Sequence, residues 1–297
     1  QRRAASIKAS LGPSSAKFNL KNVKVHSYTP NRGGEGSGYP VPASDTHGVK
    51  SWYWLDLASL FPALSLGITQ NDAVLDVCAS PGGKSLVMAQ QLFGAMGVSG
   101  DCKGTLTCNE LDNSRRARLS GVLDAYLPRH LRLKGKVRVT NWDGTKLREA
   151  SAYDKILVDA PCSSERHVLM HGGGGGNAVR TSGAAPTVDR WSPKKCKQFA
   201  KLQCGILKSS FQALRPGGRL AYSTCSIAPV ENDLVIDRLL EKLGGPSAVR
   251  VVKEDEAQTH AGWSSTLKQL GCEPTKHGWI MLPDRSKFGP IYWCLLE

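Results

Sequence analysis

The chain has 297 residues, enough to bury one large α/β core or two small ones without disulfide staples. Its net charge of +14 with only 22% charged residues reflects a shortage of acids. That favours polyanions, RNA or DNA, as partners, although the same excess could serve solubility alone. Nine cysteines with no Cys-x-x-Cys pair exclude a zinc-site or thioredoxin-like spacing, so no metal is expected and an intracellular, reducing compartment is. No stretch approaches the ~20 apolar residues of a membrane span, since the run 55–66 is short and carries Asp56, and no membrane role is expected.

The amino terminus, Gln1-Arg2-Arg3-Ala4-Ala5-Ser6, has the Arg, Ser and Ala bias of an organelle transit peptide. Residues 1–50 are rich in Lys, Arg, Gly, Pro and Ser, and 31–38 show no apolar periodicity. They read as a basic, irregular arm, with organised structure over residues 51–297.

Beyond residue 51, short apolar runs alternate with amphipathic stretches, the pattern of a mostly parallel sheet with helices on both faces. Ala73 to Cys78 predicts a buried strand ending in a Pro-Gly-Gly turn, followed by a helix through Ser85, Leu86, Val87 and Met88. Thr105 to Cys108 predicts a second strand. Asp112 to Leu127 predicts a helix with Leu119, Val122, Leu123 and Tyr126 on one side. Strands are expected at Val137 to Thr140 and Lys155 to Val158, and a flexible Gly-rich insertion at 171–187. A helix should open at Ser192-Pro193 with Phe199, Leu202, Ile206 and Leu214 inward and end at Pro216-Gly217-Gly218. Arg219 to Thr224 and Ile291 to Leu296 supply the last strands.

Ligands of open α/β sheets bind beyond the carboxyl ends of the strands. Asp76, Glu110, Asp143, Asp159 and Cys225 each fall at or just after such an end. The first turn, Cys78-Ala79-Ser80-Pro81-Gly82-Gly83-Lys84-Ser85, is not a P-loop, because Cys78 stands where that motif opens with glycine. It is not G-x-G-x-x-G either. What remains is a glycine turn that lets backbone N–H groups approach a ligand, or one that is purely structural. Glu110 is placed to accept bonds from ribose hydroxyls. A lone cysteine is most often a small core residue, but Cys162 and Cys225 both follow buried strands beside carboxylates and Lys84, as reactive thiols would.

Three blocks, Asp76-Val77-Cys78-Ala79-Ser80-Pro81-Gly82-Gly83-Lys84, Asp159-Ala160-Pro161-Cys162 and Thr224-Cys225-Ser226, resemble the Sun-type RNA 5-methylcytosine methyltransferases in order and spacing. The resemblance runs from about Trp52 to the carboxyl terminus. Trp142-Asp143-Gly144, Glu165-Arg166-His167 and Phe288-Gly289-Pro290-Ile291-Tyr292 make the chain look most like the mitochondrial ribosomal-RNA member. The resemblance implies a Rossmann-like class I methyltransferase fold with seven strands. It implies S-adenosylmethionine held by Cys78, Ala79, Ser80, Pro81, Gly82, Gly83 and Lys84, with Glu110, Arg115, Asp143, Gly144 and Asp159 around it. Ser80 departs from the family's usual Ala, and Glu110 from its frequent Asp.

By the same resemblance Cys225 is the nucleophile, Cys162 assists release, and Asp159 and Lys84 steady the charge that builds on the base. Lys194, Lys195, Lys197, Lys201 and Lys208 could hold RNA or simply form a solvated face. Trp52, Tyr53 and Trp54 could stack bases, with core packing as the plainer role. His167 is expected to be an ordinary loop residue. The resemblance also implies ribosomal RNA as substrate, a helical-repeat partner of the transcription-termination-factor type, a part in mitoribosome assembly, and a mitochondrial location. A second reading is a methyltransferase fold kept as a scaffold or assembly factor on a ribosomal particle. A third, methylation of protein or a small molecule, leaves the paired cysteines and the charge unexplained.

Overall fold

The computed structural model describes residues 6–9, 25–27, 41–94, 102–165, 191–245, 248–252, 267–286 and 288–297. The expectations for 31–38, for Arg166 and His167, and for the insertion at 171–187 lie outside these residues.

Two stretches of the segment expected to be irregular form strands, β1 (Ser6–Ala9) and β2 (Val25–Ser27). They pair in parallel with each other and, through β1, with β3 (Trp52–Leu55). The main sheet contains β4 (Ala73–Asp76), β5 (Thr105–Asn109), β6 (Val137–Thr140), β7 (Tyr153–Asp159), β8 (Leu214–Thr224), β9 (Cys272–Pro274), β10 (Gly278–Met281) and β11 (Ile291–Leu296). Its order is β6-β5-β4-β7-β8-β11-β10-β9: parallel from β6 to β8, then antiparallel. This is the expected class I architecture with eight strands instead of seven. The short β9 pairs with β10 at the far edge.

Burial explains why these segments become strands. In β11 all six residues are buried. Alternation sends Ile291, Trp293 and Leu295 to one layer and Tyr292, Cys294 and Leu296 to the other. Phe61 and Trp279 stack on either side of Trp293 at 5.6 and 5.8 Å between ring centres, filling the first layer. The chain runs from β4 outward to β5 and β6, then returns to place β7 on the other side of β4. The sheet's switch point therefore lies between the β4 and β7 loops.

Four helices carry the packing. α1 (Gly83–Phe93) is buried along nearly its whole length. α2 (Asn113–Tyr126) starts at Asp112, whose side chain accepts from the Arg115 N–H, and buries Leu119, Leu123 and Tyr126 as expected. α3 (Pro193–Ala213) is capped by Ser192, and α4 (Asp233–Leu243) ends at Gly244 in the left-handed region.

The inward face of α3 differs from expectation. Cys196, Ala200, Gln203 and Leu207 are buried with Ile206, Leu202 is 40% exposed, and Phe199 is only half-buried. Ile206 and Leu214 are buried as expected, but much of the core face is small or polar, so Phe199 and Leu202 marked it wrongly. Pro216-Gly217-Gly218 also does more than stop a helix. It is an irregularity inside β8, since Tyr153 pairs with Leu214 while Lys155 already pairs with Arg219.

Candidate active site

The β4 loop enters α1 through Gly82, whose φ of +116° lies in the region that only glycine adopts freely. A Cβ on Gly83 would come within 2.9 Å of Leu55 and 3.1 Å of Tyr53, so this turn packs directly under β3. A cavity of about 370 Å³ opens over it. Cys78, Ala79, Ser80, Pro81, Gly83 and Lys84 line one side, and Asp76, Asp159, Ala160 and Cys225 the floor.

The remaining wall combines Tyr53 and Trp54, considered above as base-stacking or core residues, with Leu55, Asp56, Ser59 and Ile291, to which sequence reasoning gave no site role. Asp56 caps the turn Leu57–Leu60 by accepting from the Ala58 N–H at 2.8 Å. An acid inside an apolar run was the available signal. Tyr53 packs edge-on against Tyr126 at 5.1 Å, the core role considered for it, while also lining the cavity.

Glu110, Arg115, Asp143, Gly144 and Cys162 do not line this cavity, although they share its edge of the sheet. Arg115 lies 3.2 Å from Glu110 and donates to the Ser80 carbonyl at 3.4 Å, and the Ser80 hydroxyl returns a bond to the Arg115 carbonyl at 3.0 Å. Asp143 accepts from the Thr145 N–H and hydroxyl at 2.9 and 2.7 Å, which hold its carboxyl below the usual range. A Cβ on Gly144 would lie 3.0 Å from a Val77 methyl, so any side chain there would press on Val77. Asn109, also not foreseen, ties the neighbouring loops together. It donates to the carbonyls of Val77 and Trp142 and accepts from the Trp142 N–H at 2.7 Å.

On the floor, Lys84 Nζ lies 2.6 Å from Asp159 Oδ2, and the Ser223 hydroxyl donates to Asp159 Oδ1 at 2.7 Å. Asp76 is fully enclosed, and burial pushes its carboxyl up to about 7 despite the hydroxyl of Ser85 at 2.6 Å. Burial likewise pushes the Cys78 thiol upward.

The two sulfurs converge. Cys162 Sγ lies 3.1 Å from Cys225 Sγ, on loops that leave the adjacent strands β7 and β8. Cys162 is buried, while Cys225 is half-buried and faces the cavity. The Cys162 thiol, donating to its neighbour, holds the Cys225 thiol below its ordinary range, aided by Ser164 and the Lys84 ammonium. The same bond and burial push Cys162 up. Ser164 has φ of +61°, uncommon for a residue with a side chain, and its hydroxyl bonds back to the Cys162 carbonyl at 3.1 Å.

No metal was expected. Among the described residues, Glu165, Cys196 and Glu231 hold ligand-type atoms within 4.8 Å of one another. Three of their four carboxylate oxygens are engaged by Ser163, Ser226, Gln203 and Trp191. Lys194, Lys195, Lys197, Lys201 and Lys208 are all exposed on α3, and no helix among the described residues is long and apolar enough to cross a membrane.

Known proteins resemble this chain over most of its length. The chain is 34% identical over 281 residues to the 5-cytosine rRNA methyltransferase NSUN4 of Xenopus laevis, covering 93% of this chain and 63% of that protein. It is 33% identical over 284 residues to the mitochondrial tRNA (cytosine(34)-C(5))-methyltransferase of Mus musculus, covering 93% and 71%. The chain thus spans somewhat under two thirds of the NSUN4 relative. The fold matches the crystal structure of NSun6 from Pyrococcus horikoshii with SFG at a TM-score of 0.57 and 21% identity, over 81% of this chain and 51% of that one. Residues 63–280, well over half of the chain, match the family described as 16S rRNA methyltransferase RsmB/F, and the chain belongs to that family.

Proposed function

We propose that this chain is an S-adenosylmethionine-dependent RNA cytosine-5 methyltransferase whose nucleophile is Cys225, with ribosomal RNA as substrate. The observation that carries the reading is the pair of sulfurs 3.1 Å apart beside the Lys84–Asp159 ion pair. The names of the relatives support the reaction, and the mitochondrial tRNA enzyme among them supports a mitochondrial location.

The residues fit the cofactor. Two enclosed carboxylate oxygens stand at the sheet edge: Asp76 Oδ1 has no hydrogen-bond partner within the protein, and Glu110 Oε2 has no hydrogen bond there beside its ion pair with Arg115 at 3.2 Å. They suit the ammonium and ribose hydroxyls of a nucleoside-linked amino acid. The turn from Cys78 to Lys84 would hold it, with Arg115 bracing Glu110 and with Asp143 and Gly144 beyond. Bound there, S-adenosylmethionine supplies an electrophilic methyl group.

Carbon 5 of cytosine is too poor a nucleophile until electrons are pushed into the ring. The Cys225 thiolate does this by adding at carbon 6. Asp159, held by Lys84 and Ser223, orients the ring, and the Lys84 ammonium offsets the negative charge that develops on it. After transfer, the proton on carbon 5 must leave and the carbon–sulfur bond must break. The proton passes to solvent water, the carbon–sulfur electron pair returns to Cys225, and the Cys162 S–H, 3.1 Å away, assists by donating to the departing sulfur. The target base must be single-stranded, or flipped out at a cost of about a few kcal/mol.

Cys162→Ala should leave RNA covalently attached to the protein, resolved on a denaturing gel, and Cys225→Ala should form neither adduct nor 5-methylcytosine. An adduct through Cys162 in the Cys225→Ala protein would reverse the roles. If both variants bind RNA and neither the parent protein nor any variant transfers label from S-adenosylmethionine, the scaffold reading holds.

A further inference from the structure

We infer that Glu231 is a positioning residue for both cysteines, the hub that fixes the 3.1 Å separation of their sulfurs. This rests on the covalent reading proposed above. Neither cysteine loop is held by its own strand alone, because each sulfur lies just past the last residue that pairs in the sheet. Something else must fix their relative position, and the contacts around Glu231 do.

Glu231 is fully buried in the turn Pro229–Glu231. Its Oε2 accepts from the Ser163 N–H at 3.0 Å and from Gln203 Nε2 at 2.9 Å. Its Oε1 accepts from the hydroxyls of Ser163 and Ser226, the latter at 3.1 Å. Ser163 follows Cys162 and Ser226 follows Cys225, so one carboxylate bonds the residue after each thiol.

The neighbours complete the clamp. Gln203, on the buried stripe of α3, also donates to the Pro161 carbonyl at 2.8 Å, on the other side of Cys162. Asn232 accepts from the Thr224 hydroxyl at 2.7 Å and donates to the Ser226 carbonyl at 3.0 Å, bracketing Cys225. The Tyr222 hydroxyl donates to the Glu231 carbonyl at 2.6 Å, which seats the turn against β8. This also explains why a polar residue, Gln203, occupies the core face of α3. Glu231 touches neither the cavity nor either sulfur, so it acts through geometry alone.

The test compares kcat, the affinity for S-adenosylmethionine and the thermal midpoint. Glu231→Ala leaves the Ser163 N–H without this acceptor and Gln203 Nε2 with only the Pro161 carbonyl. It should lower kcat roughly 100-fold, the cost of about an ångström of misplacement, while cofactor affinity stays within about twofold. Glu231→Gln can keep all four bonds, because its amide oxygen accepts from the two N–H donors and its NH2 donates to the two hydroxyls. It should return kcat to within about tenfold of the parent.

If Glu231→Ala does not melt cooperatively, the double variant Ser163→Ala/Ser226→Ala serves instead. It removes both donors to Oε1, along with the Ser163 bond to Glu165 and the bond from the Ala228 N–H to Ser226, keeps both donors to Oε2, and should cost kcat about tenfold or more at unchanged cofactor affinity. The inference is overturned if the folded alanine or double variant keeps kcat within about threefold. It is equally overturned if Glu231→Gln is as damaged as Glu231→Ala. Cys225→Ala is assayed alongside: activity in that variant sinks the covalent reading, whereas its loss with Glu231→Ala unaffected sinks only the hub.

Discussion

The Cys225 thiol faces two opposing influences. Enclosure and the Asp159 carboxylate disfavour a thiolate, while the Cys162 S–H, the Ser164 hydroxyl and the Lys84 ammonium favour it, and the favourable set wins. A lowered value means that, at a given pH below it, a larger fraction of Cys225 is thiolate than of an ordinary cysteine. Iodoacetamide should therefore label Cys225 before the other eight cysteines, with a rate midpoint below the usual value of 9.0. Cys162→Ala deletes the donor and should move that midpoint upward. Peptide mapping by mass spectrometry reads both, and an unmoved midpoint, or Cys162 reacting first, would remove the sulfur–sulfur bond as a cause of activation. The same substitution has two effects on the trapping experiment. It slows attack near neutral pH but slows release far more, so adduct still accumulates.

Among the structural elements, the entry to α1 depends most on one residue. Gly82 combines a φ of +116° with tight surroundings, since a Cβ there would lie 3.0 Å from Val122 and 3.2 Å from Leu119 on α2. Gly217, inside the β8 irregularity, has φ of +75° and nothing within 4 Å of a built Cβ. Alanine at either position meets backbone strain of about 1–2 kcal/mol. Only at Gly82 must a neighbouring helix also move. Denaturant unfolding should therefore show Gly82→Ala to be the more damaging by about 1–3 kcal/mol, the usual cost of overpacking. Equal losses would mean that α2 yields freely. Such a turn was legible in the sequence because glycine and proline punctuate it. The rest of the α3 core face was not, because beside Ile206 and Leu207 it is built from Cys196, Ala200 and Gln203, and no hydrophobic periodicity singles out a glutamine that holds a loop. The same limit hid Glu231. Cys162 and Cys225 stand out by motif, but the carboxylate that joins their loops comes from a turn with no signature of its own, and only pairing of β7 with β8 brings it there. Asp56 and Ser59 escaped notice for a related reason, since the wall they form follows β3, which lies outside the main sheet.

For the molecule as a whole, an excess of +14 charges favours polyanions without saying where one would bind. α3 narrows the choice. Lys194, Lys197, Lys201 and Lys208 recur at spacings of three, four and seven, which places them within about 60° of arc at about 100° per residue, opposite the buried stripe. Lys195 falls outside that stripe. An amphipathic helix confines charges to this arc in either case, so the dependence of binding on salt separates a phosphate track from a solvated face. If these ammoniums meet phosphates, each releases bound counterions, and the slope of log affinity against log salt should shrink by about 0.7 per lysine removed on single-stranded RNA. Lys197→Ala/Lys201→Ala should then flatten the slope by about 1.4, weaken binding similarly for unrelated sequences, and leave kcat at saturating RNA unchanged. A slope equal to that of the parent protein would return these lysines to solubility alone and move the search to the other basic surfaces of the chain. A changed kcat would instead connect α3 to the site through Gln203, whose bonds to Pro161 and Glu231 are the direct route from this helix to the cysteine loops.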